Sequence, residues 1–132
     1  MEAPLSKSQW VVRICLFLGG AACTIGGALQ MYLGEPETTP RLDHVHRFLA
    51  GIYFGTGPIA FWAATTIRQQ GVLVYLLAFG IFMAAVGRLV SMAVVGLPEP
   101  AAVWLGYLGI ELVLPVAIAI AHYTGQKRNI AS

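Results

Sequence analysis

Four long apolar runs alternate with short polar segments along the whole chain. Spans are predicted at about residues 10–33, 44–67, 72–95 and 101–123. Each run is near the length of about 20 residues that an α-helix needs to cross a bilayer, and lipid excludes an open sheet. The segments between the runs are rich in proline, glycine or charge, as turns are. The pattern predicts an all-α integral membrane four-helix bundle with short loops, and a single transmembrane domain over residues 1–132.

Composition supports a membrane protein. The chain is 58% hydrophobic and only 11% charged, whereas a soluble domain carries about 25% charged residues. It contains no glycine-rich nucleotide loop and no basic patch for nucleic acid, so no nucleic-acid partner is predicted. Cys15 and Cys23 are eight residues apart in one span, about 12 Å along a helix, which excludes a disulfide between them. They are interpreted as packing residues.

Basic residues in the loops predict the orientation. One side of the membrane carries five basic residues and the other side carries two, so both termini are expected in the cytoplasm. The first span resembles a signal peptide, with Gly20 to Cys23 similar to a lipoprotein cleavage site. It lacks the large aliphatic residue expected three places before that cysteine, so we expect it to be retained. The two sets are Lys7, Arg13, Arg68, Lys127 and Arg128 on the inner side, and Arg41 and Arg47 on the outer side.

Arg88 and Glu111 lie deep inside the third and fourth runs, on either side of one tight turn. Arg88 precedes Gly96 by eight residues and Glu111 follows Ala101 by ten, so they lie about 12 Å and 15 Å from the turn. A lone charge at such depth is costly, and an arginine can grip both carboxylate oxygens. The two are predicted to pair, either as a structural salt bridge that locks the hairpin or as a site for a ligand or proton.

Other polar residues extend this site into an outward-facing notch. Ser91 lies one turn above Arg88, and Tyr107 and Trp104 lie one and two turns above Glu111. Pro115 should free the backbone carbonyl of Glu111. The second span adds His46 and Arg47 at its outer end, and Tyr53 one heptad below His46. The predicted ligand-binding residues are Arg88, Glu111, Arg47, Tyr107, Ser91, Tyr53 and His46, with Glu111 also the candidate catalytic residue.

The remaining polar and small residues have structural interpretations. His44 and His46 are about 200° apart on a helix, which is poor for a shared metal, so no metal and no cofactor are predicted. Arg47 is also interpreted as an interfacial anchor, and His122 as a boundary residue. Two motifs of small residues predict close helix contacts, with dimerisation as the alternative. These motifs are Gly51 with Gly55, and Gly19 with Cys23 and Gly27.

With these motifs placed, the chain resembles a family of small, four-helix bacterial inner-membrane proteins defined as a domain of unknown function. The similar segments are His46 to Tyr53, Gly87 to Ser91 followed by Gly96 and Pro98, and Glu111 to Leu114. The resemblance implies the fold and a multi-pass location in the bacterial inner membrane, but no activity. Such proteins usually carry asparagine or a similar polar residue before the second-span arginine, where this chain has His44 and His46.

Four functions remain open. In the first, the bundle binds a lipid-like or amphipathic small molecule, with its head at Arg88 and its tail among Phe54, Trp62, Phe79 and Met83. In the second, the chain is a structural subunit or assembly factor whose partner is another membrane protein or a second copy. In the third, it is a membrane-embedded enzyme with Glu111 as acid or base. In the fourth, it is a small proton-coupled transporter, although Arg88 would repel cationic substrates.

Overall fold

A computed structural model describes residues 4–131, and the side chains of residues 4–127. The described chain consists of α1 (Lys7–Leu33), α2 (Pro40–Thr65), α3 (Val72–Val95) and α4 (Ala101–Ala131), with a 3₁₀ turn at Ile67–Gln69, and it contains no strand. All four helices contain segments long and apolar enough to cross a membrane; in α4 this segment is Ala101–Lys127. The prediction of an all-α chain with four helices of that length is confirmed.

The largest differences from the predicted spans are at the start of α2 and at the end of α4. Helix α2 begins at Pro40 and not near residue 44, because Thr39 caps it by accepting the Leu42 N–H at 3.3 Å. Proline suits the first position of a helix, since its missing N–H has no helical partner there. Helix α4 continues beyond Tyr123 to Ala131, since no proline interrupts it after Pro115. The side chain of Arg128, used in the orientation prediction, lies outside the described residues.

The chain divides into two compact units. One, here the α1–α2 unit, is Arg13–Ile67. The other, here the α3–α4 unit, joins the residues up to Val12 with those from Arg68 onward. The first turn of α1 therefore belongs to the α3–α4 unit, where Ser8 packs beside Gly125 of α4.

Small residues bring α1 and α2 into close contact. A Cβ added to Gly27 would lie 2.6 Å from the backbone nitrogen of Phe54. One added to Gly57 would lie 2.9 Å from the carbonyl oxygen of Gly20. Since these obstacles are backbone atoms, a side chain at Gly27 could be accommodated only by moving a helix.

The predicted glycine motifs are only partly correct. Cys23 and Gly27 are buried in the contact, but a Cβ on Gly19 or Gly55 would meet nothing within 4 Å, and Gly51 is half-buried. The prediction chose the wrong face of α2, because that helix carries a second and longer stripe of small residues. The buried stripe consists of Ala50, Gly57, Ala60, Ala63 and Ala64.

Helices α3 and α4 pack as an antiparallel hairpin. Their buried residues are three, four or seven positions apart, the spacing of a coiled-coil seam. The seam is formed by Val74, Ala78 and Ala85 of α3, and by Pro115, Ile118, His122 and Gly125 of α4. Continuing the same spacing reaches Arg88 on α3 and Glu111 on α4. The pattern that packs the hairpin therefore also turns these two side chains toward each other.

Candidate functional site

The ion pair joins the middle of the α3–α4 hairpin. The Nε atom of Arg88 donates a hydrogen bond of 2.7 Å to Oε2 of Glu111. The Arg88 side chain is 31% exposed and that of Glu111 is 14% exposed. Both charges therefore lie between candidate membrane spans, with the guanidinium the more accessible of the two.

The ion pair uses only one N–H group of the Arg88 guanidinium and one oxygen of the Glu111 carboxylate. The sequence led us to expect arginine to grip both carboxylate oxygens, but the described contact is a single hydrogen bond through Nε. A guanidinium carries five N–H groups. The four on Nη1 and Nη2 have no hydrogen-bond acceptor among residues 4–127, and over the same residues Oε1 of Glu111 has no donor. The pair thus retains unused hydrogen-bonding capacity on both sides.

Two aromatic rings flank the guanidinium. Its Cζ atom lies 5.6 Å from the ring centroid of Trp104 and 5.4 Å from that of Tyr107. The two rings are 6.1 Å apart and inclined at 66°. Their electron-rich faces attract the cation and hold it in place. The indole Nε1 of Trp104 is buried and has no hydrogen-bond partner in the described part of the chain.

We call Arg88, Glu111, Trp104 and Tyr107 the Arg88 cluster. Its formal charges sum to zero, yet it is rich in donors. Pro115, inside α4, lacks the N–H that would otherwise bond the carbonyl of Glu111. The cluster can therefore donate several hydrogen bonds to the oxygen atoms of a bound group and accept fewer in return.

Arg47 has a different role in the α1–α2 unit. Its Nε donates to Oδ2 of Asp43 at 2.9 Å. Its Nη1 donates to the carbonyls of Met31 and, at 3.2 Å, Tyr32, and Nη2 donates to that of Leu33 at 3.4 Å. These are carbonyls of the last turn of α1, which have no partner within the helix. Nη1 and Nη2 of Arg47 thus cap α1, while Nε binds Asp43, so all three nitrogens are engaged.

The turn after α1 is built around the same ion pair. Gly34 has a φ of +63°, a conformation that favours glycine, and its N–H donates to the Gln30 carbonyl at 2.8 Å. Asp43 Oδ1 accepts the Glu35 N–H at 2.6 Å. A Cβ on Gly34 would overlap both Arg47 and Asp43. This turn was not predicted from the sequence. The spacing of Gly34, Asp43 and Arg47 along the chain was the signal that could have indicated it.

Comparison with known proteins identifies the family. Residues 8–122 match the family described as a domain of unknown function (DUF4345). The chain belongs to this family. A search of curated proteins and a search of solved structures gave no match. The matched region contains the Arg47–Asp43 and Arg88–Glu111 pairs, so each lies within the family domain.

The other predicted site residues divide between the units. Ser91 is exposed one helical turn after Arg88 in the α3–α4 unit. Tyr53 and His46 belong, with Arg47, to the α1–α2 unit, where Tyr53 interacts with Cys23 of α1. Among the seven predicted ligand-binding residues, the structure brings Arg88, Glu111 and Tyr107 into one cluster.

His122 was interpreted as a boundary residue, but it is buried, with 6% exposure. Its Nε2 lies 3.1 Å from the Gly71 carbonyl and 3.1 Å from the Gln126 side-chain amide. The Tyr75 ring packs edge-on at 5.0 Å. Because a carbonyl only accepts, Nε2 carries the proton when it bonds the Gly71 carbonyl, and it can accept from the Gln126 amide nitrogen only in the other tautomer. The signal for its burial was its position eleven residues after Glu111 on the same seam. Within residues 4–127, no three His, Cys, Asp or Glu side chains group as a metal site requires.

Proposed function

We propose that this protein binds a lipid-like or amphipathic small molecule whose polar head contacts the Arg88 cluster. In this proposal the chain is a multi-pass protein of a bacterial inner membrane with both termini in the cytoplasm. The excess of basic residues on the terminal side supports that orientation. The cluster then opens toward the outer face, about 12 Å below the α3–α4 turn.

The observation that carries the proposal is the incomplete hydrogen bonding of Arg88. Four of its N–H groups have no acceptor among residues 4–127. In hydrocarbon an unsatisfied donor costs several kcal/mol, so membrane helices satisfy their polar groups wherever they can. A salt bridge that served only to lock the hairpin would be expected to use the guanidinium fork. A polar partner from outside the chain accounts for the unused donors.

The apolar surface beside Arg88 supports an amphipathic partner. Leu77, Ile81 and Ala84 precede Arg88 by eleven, seven and four residues, so they lie on its side of α3. Leu77 and Ile81 are half-buried and Ala84 is exposed. Phe79, expected from sequence to contact the tail, is nine residues before Arg88 and so about 180° around the helix. The tail of a ligand whose head contacts Arg88 would therefore extend inward along Leu77, Ile81 and Ala84.

Native mass spectrometry of the purified protein tests this proposal. The wild-type protein in mild detergent should retain a bound amphiphile, and Arg88→Gln should lose it, because glutamine cannot replace the guanidinium donors. Arg41→Gln removes the same charge from an exposed position at the start of α2 and should retain the ligand. Equal occupancy in a folded Arg88→Gln protein would refute the proposal.

A further inference from the structure

We infer that the head group bound at the Arg88 cluster is uncharged and presents carbonyl oxygens, as a quinone ring or a glycerol ester does. This inference rests on the proposed function and specifies its ligand class. It follows from the charge of the cluster and from its balance of donors and acceptors.

Charge balance excludes ionic heads. Arg88 and Glu111 neutralise each other across 2.7 Å. Apart from them, the sequence from Val72 to Ala121 contains one other formally charged residue, Glu99, in the turn. An anionic head would therefore leave one net negative charge among apolar helices, and a cationic head one net positive charge. Either is costly at that depth, whereas a neutral head adds no charge.

Hydrogen-bond balance selects the acceptor. Among the described residues the cluster has six unused donors, namely four N–H groups of Arg88, the indole N–H of Trp104 and the phenol O–H of Tyr107. Against these stand three unused acceptors, namely Oε1 and the backbone carbonyl of Glu111 and the phenol oxygen of Tyr107. A carbonyl oxygen accepts through two lone pairs and brings no donor that needs a partner. It therefore matches this excess of donors better than an alcohol, which brings a donor of its own.

The test uses amphiphiles with one decyl-length tail and different heads. The probes are a decyl benzoquinone, methyl decanoate (an ester carbonyl without a hydroxyl group), decanoate, decyl phosphate and decyltrimethylammonium. The chain has three tryptophans, so the Trp10→Phe, Trp62→Phe protein retains only Trp104, whose ring lies beside Arg88. Its fluorescence is followed as each probe is titrated into the protein in nanodiscs. One or both neutral carbonyl probes should bind at least about tenfold more tightly than any ionic probe. The stronger of the two then identifies the source of the carbonyl.

Glu111→Gln provides a second arm of this experiment. Glutamine retains an oxygen that can accept from Arg88 Nε, but it removes the negative charge. The cluster then carries one net positive charge, and decanoate or decyl phosphate should become the preferred probe, by about tenfold or more. Arg88→Gln, measured beside it, leaves Glu111 as one net negative charge, so it should lose the tight binding of the neutral carbonyl probes and prefer decyltrimethylammonium.

The possible results separate the inference from the proposed function. If decanoate or decyl phosphate binds the wild-type site most tightly and Arg88→Gln removes that binding, the head-group inference is overturned and the binding function stands. Equal, Arg88-dependent binding of all heads also overturns the inference. If the binding of no probe depends on Arg88, the head-group inference and the proposed binding function both fail. Should Glu111→Gln not fold, the ranking of probes on the wild-type site decides the matter.

Discussion

Two arginine–carboxylate pairs in the described part of this protein use the same chemical groups in different ways. Arg47 pairs with Asp43 and also donates to three backbone carbonyls, so all its nitrogens are engaged. Arg88 pairs with Glu111 through Nε alone and otherwise faces two aromatic rings. The first arginine holds a chain reversal, and the second retains donors. The two arginines therefore differ in how many of their N–H groups have an acceptor among the described residues.

The strongest test of this contrast compares the two glycines with positive φ. Both Gly34 and Gly96 have this conformation, so alanine at either should cost about 1–2 kcal/mol of backbone strain. Alanine at Gly34 also displaces Arg47, and its total cost should reach about 3–4 kcal/mol. Nothing lies within 4 Å of a Cβ on Gly96. Unfolding of both variants in mixed micelles of rising SDS content measures the difference; equal losses would show that the Arg47 cap contributes nothing.

Removing the capping arginine should have the next largest effect. Arg47→Met leaves the last carbonyls of α1 without their donor and should cost about 2 kcal/mol, a value reduced because the arginine is partly exposed. Arg41→Met removes an equal charge from an exposed position and should leave the same unfolding curve unchanged. If Arg41→Met destabilises as much as Arg47→Met, the effect comes from net charge and not from the cap.

Removing one or both charges of the Arg88–Glu111 pair should affect stability and ligand binding in different ways. Arg88→Met or Glu111→Met alone leaves one charge among apolar side chains and should cost about 2 kcal/mol, since both groups are only partly exposed. The double variant removes both charges and should return to within about 1 kcal/mol of the wild type. It should nevertheless show no bound amphiphile in native mass spectra. A double variant that folds and retains the ligand would make this pair purely structural.

Trp104→Phe should have the smallest effect on stability. The ring is retained, and the indole N–H that is lost has no partner in the described chain, so stability should change by less than about 0.5 kcal/mol. Binding of the decyl benzoquinone should weaken about two- to tenfold, the value of one hydrogen bond. Thermal-shift titration measures this, with Trp62→Phe as the control. Unchanged affinity would mean that the indole does not reach the head group.

The sequence was most informative where one short turn connects two long helices. The distances of Arg88 and Glu111 from that turn placed them at matching depth, and the structure joins them by a hydrogen bond. The sequence was least informative about contacts that depend on helix rotation. Several faces of α2 carry small residues, and the spacing of Gly51 and Gly55 did not reveal which face is buried. The burial of His122 was not predicted, because the distance of a residue from a loop does not show which face of its helix is packed.

By itself, the sequence determined the number of helices, the approximate position of each apolar span and the distance of each charge from the nearest turn, because hydrophobic run length and residue rise are local properties. The tertiary structure decided which donors remain unused. Arg47 and Arg88 are the same type of residue, and their difference arises mainly from neighbours distant in sequence. The reversal at Gly34 brings the carbonyls of α1 to Arg47. The seam of α3 and α4 offers Arg88 only one carboxylate oxygen and two aromatic rings.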